Sequence, residues 1–240
     1  MIPKGSPFPA DSLICRVPSI AEKIISFYAS LEPPPLPRGI HALLPQASEE
    51  VQTIVKTFFH TYFNDNRKRR LAFGINPGRF GAGTTGINFT GPRQLLECCG
   101  IPHPFKATSE LSAEFIYEFI ALYGGPKKFY GDYFISAVCP VGFTRKGVNM
   151  NYYDDKRLAD GLRPFIISKI RQQLAFGFHT DRCICIGGDK NLKFLSELNN
   201  EYGFFEEIIP LPHPRFIMQY RRRHKQSYLD QYLEAFRLVS

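Results

Sequence analysis

The chain has 240 residues, 44% of them hydrophobic, and a formal net charge of +8. That length supports one sizeable core, so a single domain over residues 1–240 is expected, with residues 1–45 as a helical extension and proline-rich connector. The basic balance favours a polyanionic partner, no apolar run approaches the roughly 18 residues of a membrane span, and MIPKGSPFPADSL lacks the apolar core of a secretion signal, so an intracellular monomer is expected.

Among the six cysteines, Cys98-Cys99 and Cys183-x-Cys185 are poor ligand spacings and no Cys-x-x-Cys occurs. Reduced thiols and no metal centre are expected, with Cys183 and Cys185 on one face of a buried strand.

In chain order, Ser19 followed three residues later by Glu22 predicts a capping box opening a helix over residues 19–31. Pro33-Pro34-Pro35-Leu36-Pro37 ends it as an extended connector. Val51, Ile54, Val55, Phe58, Phe59 and Tyr62 form the apolar stripe of a helix over residues 48–63. After the basic run Arg67–Arg70, Leu71-Ala72-Phe73 reads as a buried strand entering a long glycine-rich loop. Helices follow over residues 92–99 and 110–123, then a strand over residues 133–138 and a loop rich in Gly, Arg, Lys and Asn. Asp154 or Asp155 caps a helix reaching residue 176, with Pro164 marking a break or kink. Two more strands, residues 182–186 and 207–210, flank a helix over residues 189–202, and a last helix carries Tyr228, Leu229, Tyr232, Leu233 and Phe236. This alternation predicts a three-layer α/β/α sandwich around a central four-stranded parallel sheet.

The glycine-rich loop, residues 74–92, follows the first of these strands, where open parallel sheets bind ligands. It lacks the lysine of a phosphate-binding loop, and Pro77 interrupts the spacing of a dinucleotide fingerprint. Asn76, fixed between Ile75 and Pro77, and the flat apolar Phe89 are its candidate functional side chains.

From Gly74 to Phe89 the loop reads GINPGRFGAGTTGINF, which resembles without a gap the first motif of the uracil-DNA glycosylase superfamily. Within it the resemblance is strongest to the single-strand-selective monofunctional enzymes, whose motif reads roughly GMNPGPFGMAQTGVPFG. Leu211-Pro212-His213-Pro214-Arg215 resembles the start of the second motif, HPSPRNPQAN. The resemblance implies the superfamily's three-layer fold and an enzyme that flips uracil out of single- or double-stranded DNA. Such an enzyme hydrolyses the N-glycosidic bond and leaves an abasic site for base excision repair, with no cofactor. By the same resemblance Asn76 positions water, His213 donates a hydrogen bond to the uracil O2, and Phe89 stacks on the base. Gly74, Ile75, Pro77, Gly78 and Phe80 complete the pocket.

Two departures qualify the match. The chain has HPRFIMQYRRR where the family has HPSPRNPQANK, so its prolines differ and the loop is shorter. Arg215, Arg221, Arg222 and Arg223 are then expected to hold phosphates, and Phe216, Ile217 and Met218 to supply the wedge that fills the vacated stack. The run Ile135-Ser136-Ala137-Val138-Cys139-Pro140 places Ala137 where the family reads uracil with an asparagine. Asn149 or Asn151 is expected to take over that contact, with Ser136 or backbone as the other source, and xanthine as an additional substrate. Three other classes fit: a same-fold enzyme acting on other damaged bases, a non-catalytic DNA-binding module, and an enzyme of nucleotides or phosphate esters.

Overall fold

A computed structural model describes residues 16–108 and 110–238. In chain order the elements are α1 (Ile20–Ala29), β1 (Ile40–Leu43), α2 (Glu49–Phe63), β2 (Arg70–Gly74), α3 (Ala82–Thr85), α4 (Pro92–Glu97), α5 (Leu111–Tyr123), α6 (Pro126–Asp132), β3 (Tyr133–Ala137), β4 (Gly142–Arg145), β5 (Val148–Met150), α7 (Lys156–Leu174), β6 (Arg182–Ile186), α8 (Asp189–Tyr202), β7 (Glu207–Leu211), α9 (Pro214–Tyr220) and α10 (Lys225–Leu238).

The central sheet has four parallel strands in the order β3-β2-β6-β7, with helices packed on both faces. It is the three-layer α/β/α arrangement expected from the alternating pattern. Leu71, Ala72 and Phe73 of β2 are fully buried, as a strand flanked on both edges and covered on both faces requires. Cys183 and Cys185 of β6 are likewise buried. From β2 the chain adds β3 on one side and later β6 on the other, so the order of strand addition reverses between β2 and β6. Ligand crevices of open parallel sheets lie at that reversal, beyond the carboxyl ends of the strands.

α1 opens with the capping box read from sequence: the Ser19 N–H donates to Glu22 Oε2 at 2.7 Å and the Glu22 N–H to Ser19 Oγ at 3.3 Å. Its buried face (Ile20, Ala21, Ile24, Phe27, Tyr28) belongs to the main core, so the described part of residues 1–45 packs with the rest. Arg69, 1% exposed, is the one member of the basic run pulled inside. Its guanidinium donates to both Asp65 carboxylate oxygens and to the carbonyls of Tyr62 and Tyr130, pairing a charge that would otherwise be costly to bury.

Two expectations are corrected. Pro164 neither ends nor divides α7, which runs unbroken from its Asp155 cap. Leu158, Leu162, Ile166 and Ile170 bury one continuous stripe across the proline, and that packing outweighs the hydrogen bond the ring removes. The segment read as a loop after β3 is instead a hairpin, β4–β5, and β1 pairs with it as a second, antiparallel sheet in the order β1-β4-β5. Lys146 at φ 51° and Gly147 at φ 74° form its turn. Positive φ at both central residues is what a tight hairpin requires.

Candidate active site

β2 and β3 end in register, Gly74 opposite Ala137, and the Val138 N–H donates to the Gly74 carbonyl at 2.9 Å. Beyond that edge the glycine loop folds back so that Phe89 lies across the strand end. A Cβ added at Gly74 would sit 2.7 Å from the Phe89 ring, so the ring can rest there only on a glycine. Phe89 has φ 53°, a backbone conformation rare outside glycine. It is held by its neighbours. The Thr85 hydroxyl donates to the Thr90 carbonyl at 2.6 Å and accepts the Ile87 N–H at 3.2 Å, closing the turn that carries the ring.

Asn76 is locked on three sides. Its Nδ2 donates to the Met150 carbonyl at 3.1 Å and the Pro77 carbonyl at 3.3 Å, and its Oδ1 accepts the Tyr152 N–H at 3.0 Å. Tyr152 is fixed in turn: its hydroxyl donates to Asn191 Oδ1 at 2.9 Å, and Asn191 Nδ2 donates to Cys185 Sγ at 3.3 Å. Asn76 therefore ties the end of β2 to the segment after β5, and the ends of three strands hold one amide still. A second lone pair on Oδ1 remains for a water molecule.

β7 runs to Leu211, and His213 caps the following α9 with its Nδ1 accepting the Arg215 N–H at 3.1 Å. That bond leaves the proton of the neutral ring on Nε2. Burial, with Arg215 nearby adding to it, pushes the imidazole down to about 4, so at neutral pH it is an uncharged N–H donor. The ring stands 5.7 Å from that of Phe89, tilted 46°.

These groups share one cavity of about 430 Å³. Its wall contains the sequence-predicted Gly74, Ile75, Asn76, Pro77, Gly78, Phe80, Phe89, Ala137, Asn149, Asn151, His213, Arg215 and Phe216. Asn149 accepts the Arg79 N–H on Oδ1 at 3.2 Å, which ties the hairpin to the glycine loop. Ser136 is fully buried on β3 and outside the wall.

The wedge expectation changes. Residues 214–220 form a helix, so Ile217 and Met218 turn inward and are buried, while Phe216 and Tyr220, one turn apart, face out with ring centroids 5.9 Å apart. The correction follows from helical periodicity in a segment read as a loop. Arg221 lies over Phe216, and Arg79 lies over the exposed Phe80, another residue of the wall. Arg221, Arg222 and Arg223 are solvent-exposed, with no acidic partner among the described residues.

Among the wall residues not singled out from the sequence are Asn88, Glu110, Tyr153 and Tyr220. Glu110 is the one carboxylate among the described residues of the wall, brought there as the cap of α5, where its Oε2 accepts the Ala113 N–H at 2.8 Å. In the sequence it reads as the first residue of the helix over residues 110–123, and nothing in its spacing signals the cavity.

The family model of the uracil DNA glycosylase superfamily matches residues 60–237. Among solved structures, the wild-type SMUG2 of Pedobacter heparinus superposes with a TM-score of 0.89 at 45% sequence identity, over 92% of this chain and 98% of that one. A comparison with curated protein sequences found no match. With the fold, the loop and the cavity in agreement, this chain belongs to the uracil-DNA glycosylase superfamily, whose members are DNA glycosylases that act in base excision repair.

Proposed function

We propose that this chain is a monofunctional glycosylase that excises uracil from DNA and leaves an abasic site. The observation that carries the reading is the convergence of Phe89, a rigid Asn76 and a neutral His213 on one cavity at the sheet's reversal point. A flipped uracil stacked on Phe89 leaves as an anion at N1 and O2. The His213 Nε2–H stabilises that charge where it develops, and Asn76 Oδ1 holds the attacking water. Hydrolysis joins the water oxygen to C1′ as the C1′–N1 bond breaks, and the departing base keeps the bonding electrons and takes up, through solvent, the proton that the water gives up. Glu110, at the wall, favours the positive charge that the sugar carries on the way.

The rim suits a bent polyanion. Phe216 with Tyr220 fits the gap left by the flipped base, and the arginines beside them meet phosphates. Replacing Arg221, Arg222 and Arg223 together by Ala is expected to weaken duplex binding. Each lost phosphate contact should lower the slope of log K against log salt by about 0.9. An unchanged slope in a salt titration would show that none of the three meets DNA.

A second reading is favoured by one observation. Ala137 gives its part of the wall no polar side chain with which to discriminate, so xanthine is proposed as a further substrate. Asn149 and Asn151 stay in the proposed contact set for either base.

The reading is tested with metal-free protein and oligonucleotides carrying one uracil, xanthine or cytosine. The expected result is alkali-sensitive abasic sites from uracil and, more slowly, xanthine. Tight DNA binding without any abasic product would make the chain a binding module instead.

A further inference from the structure

We propose that Asn88, held in place by Tyr28, reads the base through its ring N–H, the contact that the Ala137 side chain cannot make. The inference rests on the glycosylase reading above.

Asn88 is 8% exposed, lies in the cavity wall and directly precedes Phe89. Its Nδ2 donates to the Tyr28 hydroxyl at 3.0 Å, and among the described residues no group bonds its Oδ1. With its nitrogen committed and its oxygen open to the cavity, this nearly buried amide has one acceptor left for a bound molecule. The carboxamide is planar, so fixing Nδ2 also fixes the direction of Oδ1.

The placement matches the chemistry. Tyr28 stacks on Phe59 and lies beside Ser136 of β3, so it draws Asn88 toward the β3 side of the Phe89 ring. His213 follows β7, at the opposite edge of the sheet. Tyr28 is buried and its phenol is pushed up to about 12, so it stays a neutral partner across the working range. A base on Phe89 with its O2 toward His213 can turn the neighbouring N3–O4 side of its ring toward β3. In uracil that side carries the N3–H, between O2 and O4, and an amide oxygen accepts it.

The substrate class follows. Bases formed by deamination carry a ring N–H beside a carbonyl: N3–H in uracil, N1–H in xanthine and hypoxanthine. Cytosine presents an acceptor at the same place, which would face the Asn88 oxygen lone pair to lone pair. One acceptor at this position therefore admits deaminated bases and rejects cytosine. Tyr28 is a positioning residue here, since it acts through Asn88.

The test compares single-turnover excision from oligonucleotides carrying 2′-deoxyuridine or 3-methyl-2′-deoxyuridine, which lacks the N–H. Wild type is expected to prefer uracil by about 10²-fold or more. Asn88→Ala should remove most of that preference by losing rate on uracil, with little change on 3-methyluracil. Tyr28→Phe, which deletes one hydroxyl, should erode the preference in part, and the double variant should be no worse than Asn88→Ala. If Asn88→Ala does not fold, Tyr28→Phe alone carries the test. A preference unchanged in a folded variant, or one lost instead in Asn151→Ala, overturns the assignment to Asn88 and leaves the glycosylase reading standing. No uracil excision by wild type overturns both.

Discussion

Asn76→Ala is expected to lower single-turnover uracil excision by at least about 10²-fold, and to lower the melting temperature as well. Both effects come from the same geometry. The amide that would hold the water is also the clamp between the end of β2 and residues 150–152. Removing it leaves the Tyr152 N–H without its partner and takes one of the donors from the Met150 carbonyl. A buried group left unpaired costs about 1–3 kcal/mol, and in a domain of this size each kcal/mol moves the melting temperature by about 2–4 °C. The two roles separate experimentally. Excision is measured below the variant's melting transition, and affinity for abasic DNA is measured alongside. A variant that melts early yet excises at the wild-type rate would make Asn76 a structural clamp only.

How much of this was legible follows from the range of each signal. The parallel sheet and its helices were visible because their buried faces repeat at fixed short periods, as in α2 and β2. Asn76, Phe89 and His213 were visible because two compact motifs carry them. What stayed hidden depends on contacts between distant segments. The β4–β5 hairpin is short and half-exposed, and it becomes a sheet only through β1, about a hundred residues earlier in the chain. Asn88 looked like one more turn asparagine until Tyr28, 60 positions away, was seen to hold it. The proline in α7 and the helix at residues 214–220 show the opposite case, in which a clear local signal yields to packing. Ile217 and Met218 were apolar residues near DNA-facing arginines, and the core claimed them first.

His213→Ala is expected to lower excision by about 10²–10³-fold, the usual cost of one donor aimed at a developing oxyanion. His213→Gln, which keeps an N–H donor in place of the imidazole, should recover part of that loss. The pH dependence gives a sharper check. The folded imidazole is held down to about 4, below its ordinary value of 6.5, because burial disfavours the charged ring. Wild-type excision should therefore stay level as pH falls through 6.5, where an ordinary histidine would titrate, and decline only on approach to about 4. The same shift acts on stability with a defined sign. Between 6.5 and about 4 the unfolded chain binds this proton and the folded chain does not, so the group's contribution is complete above 6.5 and fades as pH falls toward 4. His213→Gln removes that titration, so its melting temperature should fall less than that of wild type over the same interval. A break in the wild-type rate near 6.5, or equal acid sensitivity of melting in both proteins, would mean that the folded imidazole titrates as an ordinary histidine does, and a rate that rises below that break would mean that the protonated ring is the working form. The leaving base would then be stabilised by a cation, in place of the neutral donor that the Arg215 N–H bond to Nδ1 sets up.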